Sequence, residues 1–101
     1  MAEGSKLTVY GASGIPYEFW VYPWGTELKP EGGDYLVLKD NGILYVGQTS
    51  NLSERFDNHH KRSCFDRNGK THIGARLEPS EDKRRAIETD LINKYNPPCN
   101  G

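Results

Sequence analysis

Two short runs of strand-forming residues, 34–39 and 43–47, flank Asp40-Asn41-Gly42. Tight-turn chemistry between two apolar runs is a strong short-range signal for a β-hairpin. The side chains discriminate between loop lengths. A two-residue Asn41-Gly42 turn would pair Leu38 with Tyr45 and set Tyr35 and Tyr45 on opposite faces. A three-residue loop, with Gly42 at a left-handed bulge position, pairs Leu38 with Leu44 and Leu36 with Val46. That register collects Leu36, Leu38, Leu44 and Val46 on one apolar face, and Tyr35, Val37 and Tyr45 on the other. The apolar pattern selects the second arrangement, which brings both phenols to one surface. Asp34 then stands opposite Gln48 at the end of the apolar face, where it is expected to reach solvent.

The rest of the chain supplies elements to pack on such a hairpin. Residues 17–22 are dense in aromatic and β-branched side chains and read as a strand closed by Pro23 and Gly25. The Gly/Ser-rich residues 1–16 predict a flexible N-terminal segment, leaving 17–101 as one domain. Asn51-Leu52-Ser53-Glu54 resembles a capping box, so a helix is predicted over 52–61 with Leu52 and Phe56 on its apolar side. Arg55 and His59 fall one turn apart along its edge. Residues 62–70 read as a polar connection with a turn at Asn68-Gly69, and Thr71–Leu77 as a strand. Pro79-Ser80-Glu81-Asp82 opens a second helix that Pro97-Pro98 stops. The sum is an α+β domain: a small central antiparallel sheet flanked by helices, with an extra N-terminal strand.

On the second helix Ile87, Leu91, Ile92 and Tyr95 form the apolar stripe, and Glu88 sits inside it. At about 100° per residue, Glu88 lies about 40° from Ile92 and about 20° from Tyr95. A carboxylate turned toward a core is unfavourable unless something compensates it. Glu88 therefore stands out as a metal-ligand candidate, with pairing to Arg84 one turn earlier as the plain alternative.

Charge and cysteine content narrow the setting. The net charge of −1 argues against strong nonspecific nucleic-acid binding. The distribution is uneven: residues 1–54 carry three Lys/Arg against seven Asp/Glu, and residues 55–94 carry ten against seven. Lys61, Arg62 and Arg76 in the more basic half are candidate nucleic-acid contacts. The Lys83-Arg84-Arg85 run reads as a solvated helix face. Cys64 and Cys99 form no CxxC pair and fit no zinc spacing with His59, His60 and His72, so they are expected as free thiols. No apolar run approaches membrane-spanning length and no secretory h-region opens the chain, which predicts a cytoplasmic protein.

Gly33-Asp34-Tyr35 and Tyr45-Val46-Gly47, followed by Gln48–Leu52, Arg55–His59, Glu88 and Asn96-Pro97-Pro98-Cys99-Asn100, resemble the GIY-YIG nuclease superfamily over residues 33–100. Asp34 stands where the first signature has isoleucine. The resemblance implies a DNA endonuclease holding Mg²⁺ or Mn²⁺ through Glu88. It implies catalytic roles for Tyr35, Tyr45, Arg55, His59, Glu88 and Asn100. Arg55 would stabilise phosphate charge and the tyrosines would position and deprotonate the attacking water. His59 would assist as proton acceptor, and Asn100 would orient Tyr35, Glu88 or backbone. Other expectations are a DNA-binding module without turnover of its own, and a protein-interaction domain that dimerises or binds a partner through the aromatic N-terminal strand.

Overall fold

The computed structural model describes residues 4–56 and 59–100. Five strands form one antiparallel sheet in the order β1-β2-β5-β3-β4. They are β1 (Ser5–Tyr10), β2 (Pro16–Pro23), β3 (Gly33–Lys39), β4 (Gly42–Thr49) and β5 (His72–Leu77). Helices α1 (Leu52–Arg55), α2 (Arg62–Arg67) and α3 (Glu81–Tyr95) complete the domain. No helix among the described residues is long and apolar enough to cross a membrane.

β3 is buried from Gly33 to Leu38 because it runs between β4 and β5 and is covered on both faces. Its alternation divides two cores. Leu36, Leu38 and Val46 pack with Val9, Tyr17, Phe19, Ile87 and Leu91 beneath α3. Tyr35, Val37 and Tyr45 pack on the opposite side with Leu52, Phe65, Ala75 and Cys99. Completely burying one such apolar side chain contributes about 1.5–3 kcal/mol, so both layers hold the sheet that carries the tyrosines.

The expected register holds at Leu36↔Val46 and Val37↔Tyr45, but Leu38 pairs with Ile43 rather than Leu44. The turn is Asp40-Asn41, closed by Lys39↔Gly42, and Asp40 takes the left-handed conformation expected of Gly42. The extra residue is Leu44, bulged out of the ladder. It joins the tyrosine side while Ile43 packs against the Leu36 side. A bulge resolves the pattern because Ile43, Leu44 and Tyr45 are all apolar and strict alternation would expose one of them.

Further expectations are corrected. Residues 5–16 are not a loose leader: β1 pairs with β2 along its length, and the loop between them docks on α3. There Asp90 accepts from Ser13 N–H (2.9 Å), Ser13 Oγ (2.5 Å) and Tyr17 Oη (2.7 Å). The aromatic strand β2 is no dimer edge, because β1 and β5 pair with its two sides. Residues 62–67 are helical, and Cys64 of α2 is disulfide-bonded to Cys99. Tyr95 is exposed, and Arg84, read as a solvated residue, is buried.

Ser80 caps α3 by accepting from Lys83 N–H, and Asn96 ends it in a left-handed conformation ahead of Pro97. The buried Arg84 guanidinium donates to Gln48 Oε1 (3.1 Å), Glu78 O (3.0 Å) and Pro79 O (2.9 Å). It fixes the start of α3 against the end of β4, one turn before Glu88. Arg84 therefore serves the fold and does not pair with Glu88.

Candidate active site

The signature glycines have steric causes. A Cβ at Gly47 would lie 2.4 Å from Cζ and Oη of Tyr35, and a Cβ at Gly33 would lie 2.1 Å from the Arg76 carbonyl oxygen. Gly47 thus makes the space that the Tyr35 ring fills, and Gly33 lets β3 approach β5. Only the absence of a side chain permits either contact.

Tyr35 is fully buried, with its hydroxyl at the centre of the cluster. Arg55 Nε donates to it at 2.8 Å, and His59 Nε2 lies 2.8 Å away. His59 Nδ1 accepts the Lys61 backbone N–H at 3.0 Å. That acceptor role places the neutral ring's proton on Nε2, so His59 donates to Tyr35. The phenol oxygen accepts from two directions, leaving its own proton free to point toward Tyr45. The Tyr45 ring lies 6.0 Å from that of Tyr35 and 5.1 Å from His59.

Burial dominates the acid–base behaviour here. It pushes the Tyr35 phenol well above the ordinary tyrosine range, against the opposing pull of Arg55. It pushes His59 down to about 4, helped by the neighbouring Arg55, His60 and Lys61 side chains. Near neutral pH both groups are uncharged. His59 has both nitrogens engaged and is buried, so it orients Tyr35 in this arrangement, and the expected proton-acceptor role is not the one its contacts support.

Arg55 and His59 do reach the same atom, but not as neighbours on one helix. α1 ends at Arg55, and His59 lies between α1 and α2. Asp57 and Asn58 of the expected helix lie outside the described residues. The Lys61 N–H satisfied by the His59 ring shows a side chain competing with helical hydrogen bonding at this point.

Glu88 approaches from α3, half-buried, with its carboxyl pushed up by burial and drawn back by the charges of Arg85 and Arg55. No hydrogen-bond donor meets it among the described residues. Arg55 is the shared element: it bonds Tyr35 on one side and acts on Glu88 on the other. Asn100 takes the backbone role. Its Oδ1 accepts from Val46 N–H and its Nδ2 donates to Val46 O, both at 2.9 Å.

The expected nucleic-acid contacts do not converge on this cluster. Arg62 lines a separate cavity of about 340 Å³ with Trp24 and Phe56. Arg76 lies on the opposite face from Tyr35, its guanidinium carbon 5.8 Å from the Tyr17 ring. Lys61 contributes the backbone N–H that fixes His59.

Asp34 departs most from expectation. It does not reach solvent: it is fully buried beside Arg76 and Gln48, and neither carboxyl oxygen has a partner. Burial pushes its carboxyl up to about 8, opposed by Arg76 and reinforced by the nearby charge of Glu88. The sequence carried a signal for this burial, since Asp34 shares alternation with Leu36 and Leu38.

A family model described as the GIY-YIG catalytic domain matches residues 32–101. Among solved structures, the GIY-YIG N-terminal endonuclease domain of UvrC from Thermotoga maritima, bound to magnesium as its catalytic divalent cation, gives a TM-score of 0.63. It is 22% identical, and the likeness covers 72% of this chain and 86% of that one. A point mutant of that domain bound to its catalytic divalent cation gives 0.62 at 22% identity with the same coverage. At such identity the likeness is one of fold. No curated protein matches the chain.

Proposed function

The chain belongs to the GIY-YIG nuclease domain family, and from that premise we propose that it is an endonuclease hydrolysing DNA phosphodiester bonds with Mg²⁺ or Mn²⁺ held by Glu88. The observation that carries this reading is the convergence on Tyr35. One hydroxyl receives Arg55 and His59, adjoins Tyr45, and shares Arg55 with the Glu88 carboxyl.

Glu88 suits a hard divalent cation: it is a half-buried carboxylate with no competing donor among the described residues, and carboxylate oxygen is the preferred ligand. When bound, such a cation polarises the scissile phosphate and stabilises the leaving oxygen. Arg55 commits Nε to Tyr35, leaving its terminal nitrogens to meet charge growing on the phosphate oxygens. Tyr35, kept protonated by burial, orients the attacking water and its neighbour. Tyr45 is the phenol assigned to take the water's proton. Asn100 fixes the strand that carries Tyr45 by gripping the next residue, Val46.

The test is a cleavage panel of branched, nicked and duplex DNA with Mg²⁺ or Mn²⁺, run beside Glu88→Ala. The expected result is divalent-dependent cleavage of at least one substrate, reduced more than about 10²-fold in the variant. Equal products from both proteins, or none on any substrate, would overturn the assignment.

A further inference from the structure

After α3 the backbone runs along the outer side of β4. Cys99 N–H donates to Leu44 O at 2.9 Å, and the Asn100 side chain grips both backbone groups of Val46. These contacts fix the strand immediately before and after Tyr45. The segment that makes them is tied by the Cys64–Cys99 disulfide to α2, 35 residues away in sequence. α2 in turn is joined to His59, whose backbone oxygen accepts Arg62 N–H at 3.1 Å and whose Nδ1 accepts Lys61 N–H. One covalent bond thus links the piece that sets His59 to the piece that sets Tyr45.

The two sulfurs differ in access. Cys99 is 1% exposed and belongs to the tyrosine-side core, whereas Cys64 is half-buried at its margin. Asn68 Nδ2 donates to Cys64 O at 2.8 Å and holds the α2 side whether or not the sulfurs are bonded. The Cys99 segment is held to β4 by three hydrogen bonds to Leu44 and Val46, and its link to α2 is the disulfide, beside a long Asn68 Nδ2 contact to Cys99 Sγ at 3.7 Å. We propose that Cys64–Cys99 is a redox switch on the active site. Bonded, it clamps β4 around Tyr45 and keeps His59 in place. Reduced, it frees the Asn100 clamp and slows turnover. The activity arm of this proposal rests on the nuclease reading.

The chemistry is ordinary thiol–disulfide exchange with a dithiol reductant. One thiolate of the dithiol attacks the accessible Cys64 sulfur and Cys99 departs as thiolate. The second thiolate then attacks the mixed disulfide and releases Cys64. The reductant leaves as its own cyclic disulfide, and its two electrons and two protons end on the protein thiols. Two thiols cannot stay at bonding distance, so the sulfurs part on reduction; in the proposed switch the Cys99 segment shifts away from α2 and carries Asn100 with it.

Wild-type protein is prepared oxidised and dithiothreitol-reduced, desalted under nitrogen, and followed by thiol titration, amide hydrogen exchange and DNA cleavage with Mn²⁺. Reduction is expected to expose two thiols and to speed exchange of the Val46 N–H about tenfold or more, with the Val37 amide still protected. Cleavage is expected to slow about tenfold or more and to recover on reoxidation. Cys64→Ser and Cys99→Ser should match the reduced protein and ignore dithiothreitol. Unchanged Val46 exchange, or equal cleavage by both forms, overturns the switch. So does loss of all protected amides on reduction, which would make the bond a folding staple. If neither form cleaves, the nuclease reading fails while the exchange measurement still decides whether the clamp is released.

Discussion

Asp34 and Tyr35 are sequence neighbours that point to opposite faces of β3. Both are completely buried, both carry a titratable oxygen, and both have that group raised by burial. Their surroundings differ. The Tyr35 hydroxyl hydrogen-bonds with Arg55 and His59, while the Asp34 carboxyl has no hydrogen-bond partner. Burial stabilises or destabilises according to whether the polar group finds partners, and one strand shows both outcomes in adjacent residues.

Removing the Tyr35 hydroxyl should break the well-partnered side. Tyr35→Phe leaves the Arg55 and His59 donors without their acceptor, and single-turnover cleavage should fall about 10²–10³-fold. Thermal melting should show a smaller loss of about 1–3 kcal/mol. A rate within twofold of wild type would mean that the convergence on Tyr35 is packing alone. Gly47→Ala attacks the same group by space: its Cβ would meet the Tyr35 ring at 2.4 Å. Displacing that buried ring is expected to destabilise the fold by about 1–3 kcal/mol in urea unfolding and to lower activity with it.

The unpartnered side predicts the reverse sign. Asp34→Ile replaces an orphaned carboxyl by an apolar side chain and should stabilise the domain by about 2 kcal/mol near pH 7.5. A lower melting temperature would show that Asp34 has a partner that its contacts do not reveal.

The smallest effect separates the faces by pH. Asp34, pushed up to about 8 from 3.8, keeps its proton in the fold where the unfolded chain has lost it. Its stabilising share is complete below about pH 4 and is lost as pH rises through 8. His59, pushed down from 6.5 to about 4, is protonated first in the unfolded chain, so its share is lost as pH falls from 6.5 through 4. The two slopes oppose each other in the acid range, and only that of Asp34 remains between pH 6.5 and 8. Urea midpoints of Asp34→Asn across pH 6.5–8 should therefore be flatter than wild type, and an unchanged slope would remove Asp34 as its source.

The elements legible in advance were those written in local pattern. Alternation and turn residues gave the β3–β4 hairpin, Ser80 and Pro97-Pro98 bounded α3, and spacing placed Tyr35 and Tyr45 on one face. What stayed hidden depends on contacts far apart in sequence. The Leu44 bulge required three apolar residues to divide between two cores. The course of the chain after Arg55 turned on a histidine ring accepting a backbone N–H. β1 reads as a loose leader until Asp90, near the other end of the sequence, is seen to anchor its loop. The Cys64–Cys99 bond depends on α2, and α2 is polar enough to resemble a loop.

A free sheet edge offers unpaired backbone groups to any passing strand, and proteins commonly blunt such edges. Here β4 is sealed by Cys99 and by an asparagine side chain that imitates a strand's donor and acceptor. Along the tyrosine segment the edge therefore has nothing to offer another chain's backbone. Edge-to-edge growth of the sheet would have to begin at β1, on the far side, so the chemistry of β4 and the self-association risk of an open sheet are kept on opposite borders of the molecule.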